Sequence, residues 1–167
     1  MKDGTFSTDG RYLITVDDTA RVWYTASWTH LHTIRGPNPL LSGVFSLTGK
    51  YLALVFEGGG VGIFYPGNFE AAPREWIQMD QPTNEQNHST MVDRCVFSPD
   101  EGTFVTVSDR TVNVWSTVTD VWTLVCTLGG FSDGVCGCVF SHDRGSLVTT
   151  SYDWSIRVWS TGDWSPS

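Results

Sequence analysis

Positive charge is what this sequence has least of. Ten Lys and Arg stand against 18 Asp and Glu in 167 residues, a net charge of −8. Affinity for nucleic acid comes from clustered Lys and Arg on phosphates, and attraction to an anionic membrane surface needs the same residues. The expectation is therefore no nucleic acid and no membrane, with a protein carrying a basic segment as the electrostatically favoured partner. Charge of either sign is scarce at 17% of residues, while there are 17 glycines and eight tryptophans. That balance speaks for sheets joined by tight turns and against a helical bundle.

Long apolar runs are also missing. The longest, Tyr51 to Phe56, falls far short of the ~20 residues that span a bilayer. The opening MKDGTFSTDG contains no apolar signal region. Both point to a soluble intracellular, cytoplasmic protein. Cysteine is sparse: Cys95, Cys126, Cys136 and Cys138. An extracellular disulfide scaffold is usually shorter and denser in cysteine, and a zinc site wants four ligands at recognisable spacing. Asn87-His88-Ser89 fits a glycosylation sequon, which has no consequence without a secretory route.

What is present is repetition. Phe97-Ser-Pro-Asp-Glu-Gly-Thr-Phe-Val-Thr-Val-Ser-Asp-Arg-Thr-Val-Asn-Val-Trp115 aligns with Phe140-Ser-His-Asp-Arg-Gly-Ser-Leu-Val-Thr-Thr-Ser-Tyr-Asp-Trp-Ser-Ile-Arg-Val-Trp159. Phe6-Ser-Thr-Asp to Val22-Trp23 repeats the text, and Phe45-Ser-Leu-Thr to Gly62-Ile-Phe64 is a degenerate copy. The Phe-Ser anchors are 39, 52 and 43 residues apart. A period near 40 with several short strands in each copy is the signature of propeller blades. Period-2 runs predict strands at 135–140, 147–151 and 156–159 in the last copy, with fourth strands at 31–34, 75–79 and 122–128 in the others.

The motifs Phe-Ser-x-Asp and Asp-x-Thr/Ser-x-x-Val-Trp resemble the WD-repeat family of β-propellers. The likeness covers nearly the whole chain and is weakest in the second copy, where Gly58-Gly59-Gly60 replaces the turn aspartate. It implies an all-β fold of about four blades of four-stranded antiparallel sheet, at 4–36, 40–80, 91–129 and 134–164, in one WD-repeat domain over 1–167. Propellers usually close with more blades. Only five residues precede Phe6, so the first copy is expected to lack its innermost strand. The chain stops eight residues after Trp159, so the last is expected to lack its outer one. Three readings follow: an incomplete piece of a larger propeller, two copies in one ring, or four blades in an open or small closed ring. The first is preferred, and self-association through the open edges belongs with the second.

His88, Ser108 and Asp109 have the composition of a hydrolase triad. The resemblance instead implies a His–Ser/Asp–Trp hydrogen-bond chain tying a blade together. Its residues would be His88, Ser108, Asp109 and Trp115, Ser151, Asp153 and Trp159, and Asp17 and Trp23. Each of Asp17, Asp109 and Asp153 stands six residues before a signature Trp, where a carboxylate accepts backbone N–H groups in a tight turn. No nucleophile elbow accompanies the set, so no catalytic residue is assigned. Cys136-x-Cys138 and His30-x-His32 share strand faces, and no metal or cofactor is expected from them. Gly58–Gly60 lacks the Lys-Ser/Thr of a phosphate loop and reads as a hairpin turn. The polar run 80–90 reads as a connection on the same rim as Arg110, Phe131, Tyr152 and Trp154. Aromatic and Arg residues dominate interface energy, so these four are the candidate partner contacts. The implied function is a non-catalytic protein-interaction module or scaffold. The alternatives are a hydrolase on a propeller scaffold and a non-functional fragment.

Overall fold

The computed structural model describes residues 2–36, 38–64, 77–78, 92–119 and 122–166. Among the described residues there are fifteen strands and no helix. The first half holds β1 (Asp3–Phe6), β2 (Tyr12–Val16), β3 (Ala20–Tyr24), β4 (Thr29–Ile34), β5 (Leu40–Phe45), β6 (Leu52–Phe56), β7 (Val61–Phe64) and β8 (Ile77–Gln78). The second half holds β9 (Arg94–Phe97), β10 (Thr103–Ser108), β11 (Thr111–Ser116), β12 (Thr123–Leu128), β13 (Val135–Phe140), β14 (Ser146–Ser151) and β15 (Ile156–Ser160). Consecutive strands pair antiparallel into four sheets, β1 to β4, β5 to β8, β9 to β12, and the three-stranded β13 to β15. The chain divides into two compact units, residues 1–91 with the first two sheets and 92–167 with the last two. This is the all-β architecture of propeller-type blades.

One expectation fails at the start of the chain. The first sheet does have an innermost strand, since Asp3 to Phe6 pairs with Val16 to Leu13. A ladder needs backbone groups more than apolar side chains, and four residues suffice when a formed strand is beside them. At the other end, among the described residues, β15 meets one isolated bridge, Trp159 to Pro166, in place of a fourth strand. His88, the sequon and the polar run 80–90 lie outside the described residues.

The Phe-Ser-x-Asp motif builds the same turn each time. Ser98 Oγ donates to Asp100 Oδ1 at 2.6 Å and accepts the Thr103 N–H at 2.9 Å, while Gly102 N donates to the same carboxylate at 3.1 Å. Ser7 with Asp9, and Ser141 with Asp143, repeat it. The serine hydroxyl closes the β9–β10 connection and the carboxylate accepts what the turn leaves unpaired. Those hydrogen bonds, the serine's first, hold the Asp9, Asp100 and Asp143 carboxyls below the usual range. The residue after the aspartate, or after Thr48 in the second copy, takes a left-handed φ: Gly10 at +69°, Gly49 at +74°, Glu101 at +59° and Arg144 at +68°.

The signature Trp and its partner show a correction. Trp23, Trp115 and Trp159 donate their indole N–H to Thr15, Thr106 and Thr149, at 2.9, 3.0 and 3.0 Å. The acceptor is thus the threonine two residues before Ser108 and Ser151, on the neighbouring strand. Ser108 Oγ is buried with no hydrogen-bond partner among the described residues. Ser151 Oγ donates to the Asp133 carbonyl at 3.0 Å. The register explains the choice: Trp115 stands opposite Phe104, and a side chain two residues along β10 lies on the same face within reach of the indole.

Each sheet therefore has a tryptophan face, carried by Phe64 in the second sheet, and an opposite face. In the first unit the opposite face of the first sheet (Ile14, Val16, Ala20 and Val22) shares a core with Leu52, Leu54 and Phe64 of the second. In the second unit the opposite face of the third sheet (Val105, Val107, Val112 and Val114) shares a core with Leu147 and Trp159 of the fourth. Small β-branched side chains on one sheet meet large ones on the next, which fills space without strain.

Candidate functional site

Three connections gather in the second unit: the turn Asp109–Arg110 between β10 and β11, the run Gly129–Gly134 leading into β13, and the turn Tyr152–Ser155 between β14 and β15. Val135 N donates to Asp109 O at 2.7 Å, and Tyr152 N donates to Gly134 O at 2.9 Å, so both turns are sewn to the start of β13. Arg110 Nη1 reaches Ser132 O at 3.4 Å. Asp153 Oδ2 accepts Ser132 N at 2.9 Å and Asp153 Oδ1 accepts Ser155 N at 2.8 Å. Hydrogen bonds from Ser155 and from the Ser132 N–H hold the Asp153 carboxyl well below the usual range. Asp153 thus clamps two loops as a committed anion.

Phe131 is not a rim contact. It is 6% exposed and belongs to the core of the second unit, its ring centroid 6.3 Å from that of Trp159. The Arg157 guanidinium lies over it, 4.3 Å from the ring centroid, and donates to Gly129 O at 2.8 Å and Gly130 O at 2.5 Å. Gly130 has φ +86°, and a Cβ there would stand 2.7 Å from Arg157 Nη1. The loop turns inward at a glycine, and the aromatic ring follows it into the core, where burial stabilises it by about 1.5–3 kcal/mol. Arg157 was not singled out from the sequence. Its signal is a polar residue two before each signature Trp, namely Arg21, Asn113 and Arg157.

The other three candidates are on the surface. Tyr152 is 69% exposed, Trp154 is 98% exposed and Arg110 is exposed. Trp154 also holds a left-handed φ of +66°, which costs a bulky residue about 1–2 kcal/mol. Exposed Asp109 and Asp133 stand on these connections, with exposed Asp93 Oδ2 accepting the Asp109 N–H at 3.5 Å. Arg110 Nε is 3.7 Å from Asp109 Oδ2, an exposed pair that offsets little of this acidity. Asp109 thus faces Arg110 in place of the expected contact with Trp115. Asp17 accepts the Thr19 N–H at 2.9 Å and Arg21 at 2.5 Å, which lower its carboxyl to about 2.

The chemistry available elsewhere is limited. Ser108 is buried, so no substrate carbonyl reaches its hydroxyl where it stands. Burial pushes the Cys138 thiol up to about 11, leaving it a protonated filler and not a nucleophile. Among the described residues no group of three His, Cys, Asp or Glu is arranged to hold a metal ion.

The family model described as WD domain, G-beta repeat, matches residues 81–116 and 122–160. Within the described residues these stretches take in the third and fourth sheets, with Trp115 and Trp159 near their ends. The first two sheets share the turn, register and strand order of that pair. No curated protein matches the chain. Modules of the matched family generally mediate protein–protein contacts and are typically non-catalytic.

Proposed function

We propose, from the premise that this chain is a WD-repeat protein, that it is a non-catalytic interaction module. Its second unit presents Arg110, Tyr152 and Trp154 to a partner protein. The observation that carries this reading is Trp154. A wholly exposed indole in a left-handed backbone incurs hydration and strain together, and the Trp154 N–H bond to Ser151 O closes the turn without covering the ring. Such a residue is retained at no benefit to the fold, whereas a rigid, amphipathic anchor at the centre of an interface contributes strongly to binding. Exposed Asp93, Asp109 and Asp133 of the same unit set the partner's sign, since Lys and Arg are attracted to the carboxylates and to an indole face.

The test is calorimetric titration of Lys/Arg-rich peptides and of charge-reversed controls into the whole chain. Basic peptides should bind and controls should not. Trp154→Ala should weaken binding by at least tenfold, about 1.4 kcal/mol, while the melting temperature stays put or rises slightly. Unaltered binding by that variant would sink the proposal.

A further inference from the structure

Seen sheet by sheet, two apolar faces are out of step with their equivalents. In the first three sheets the four central residues of the opposite face are at most 1% exposed. Their counterparts in the fourth sheet are Val148, Thr150, Ile156 and Val158. Here Ile156 is 70% exposed and the other three are only half-buried. The tryptophan face shows the reverse. In the second and third sheets the corresponding residues are buried, and in the fourth Leu147, Thr149 and Trp159 are buried with Phe140 half-buried, whereas in the first sheet Leu13, Thr15 and Trp23 are half-buried and Phe6 is 56% exposed. Phe6, Leu13 and Trp23 form one cross-strand row, as Phe97, Phe104 and Trp115 do in the third sheet. The chain thus carries one uncovered face of each kind.

These two kinds of face are the ones that mate inside each unit. Val105, Val107, Val112 and Val114 share a core with Leu147 and Trp159, and the first two sheets make the equivalent pairing. We propose that the uncovered face of the fourth sheet, around Val148, Ile156 and Val158, seats against the uncovered face of the first sheet, around Phe6, Leu13 and Trp23, of a second copy of this chain. The contact continues the established sheet-on-sheet packing, small β-branched residues against a large aromatic row, with the partner's face supplied by the same sequence. It is head-to-tail and therefore heterologous: each copy contributes a different surface, and both surfaces of every copy are available. Apolar patches of this sort on a lone molecule mark an interface.

The test is the mass of the full chain in solution, by light scattering and sedimentation over a range of concentrations, for the native sequence and two exposed-site variants. The native chain should run at twice its own mass or more. Ile156→Lys should disable one face and Phe6→Lys the other, each weakening self-association at least tenfold, with near-ultraviolet circular dichroism unchanged. Mixing the two variants should then restore a species of two copies that does not grow, because each variant keeps the face the other has lost. A symmetric contact, or non-specific clustering of apolar patches, would not be rescued by mixing. A native chain that is monomeric throughout would overturn the proposal and assign the faces to blades of another chain. A mixture that stays monomeric, or a mass indifferent to both substitutions, would overturn it as well.

Discussion

The second and third sheets solve one packing problem in two ways. In the third, Trp115 stands opposite Phe104 and passes its indole N–H to Thr106 at 3.0 Å. In the second, Phe64 stands opposite Leu52 in the same register, and the residue aligned with Thr106 is Leu54. Donor and acceptor have vanished together. The pair's side chains remain buried in both sheets, so neither leaves a polar atom stranded. Removing one partner of a buried hydrogen bond costs the full desolvation of the other, whereas replacing both with apolar groups is close to neutral. What looks in the sequence like a decayed copy is a consistent apolar substitute.

That comparison can be broken most forcefully at the ring. Trp115→Ala and Phe64→Ala should each destabilise their sheet by about 3–5 kcal/mol in denaturant unfolding, because the volume lost is core volume whichever polar arrangement surrounds it. A much smaller loss for Phe64 would mean the second sheet is loosely packed and the likeness superficial. The next effect is polar. Thr106→Val strands the Trp115 N–H and should cost about 1–3 kcal/mol. Thr106→Leu combined with Trp115→Phe copies the second sheet, and should cost less than the two single changes summed, by about 0.5–3 kcal/mol. Strict additivity in that double-mutant cycle would show that the two residues do not act as a pair.

The smallest effect concerns acid. The second sheet has Thr48 where the third has Asp100, whose carboxyl is held low by the Ser98 hydroxyl and the Gly102 N–H. A folded-state value below the unfolded one means that stability is fully present above pH about 4 and is lost as the pH falls through the lower folded value. Asp100→Thr should therefore lower stability slightly at neutral pH and make acid unfolding shallower. The check is the unfolding midpoint followed from pH about 6 to about 2, and an unchanged acid profile would remove the turn aspartate from the account.

Much of this was legible in the sequence because repetition makes a sequence its own alignment. Strand order, the four copies and the turn residues follow from period-2 runs and from Ser and Asp at fixed offsets. The sequence reading gives Ser or Asp as the partner of each signature Trp, although Thr15, Thr106 and Thr149 recur with their tryptophans and Leu54 accompanies Phe64. Ser108 drew attention because it sits beside the turn aspartate, but hydrogen-bond reach across a sheet follows register and face, not adjacency in sequence. The exposure expected of Phe131 fails for a related reason. A loop position suggests exposure, and nothing local to Gly130-Phe131 reveals that Arg157, far along the chain, will cap the loop and fold the ring beneath it.

The sequence by itself determined most of the strands, their antiparallel order and the Ser–Asp turns, because these depend on neighbours within one copy. Only the tertiary structure decided which apolar face is covered. Val105 and Val148 occupy the same register position in near-identical strands, yet one is sealed in a core and the other is half-open. Burial belongs to the sheet that packs against a residue, and that partner is not written in the strand that carries it.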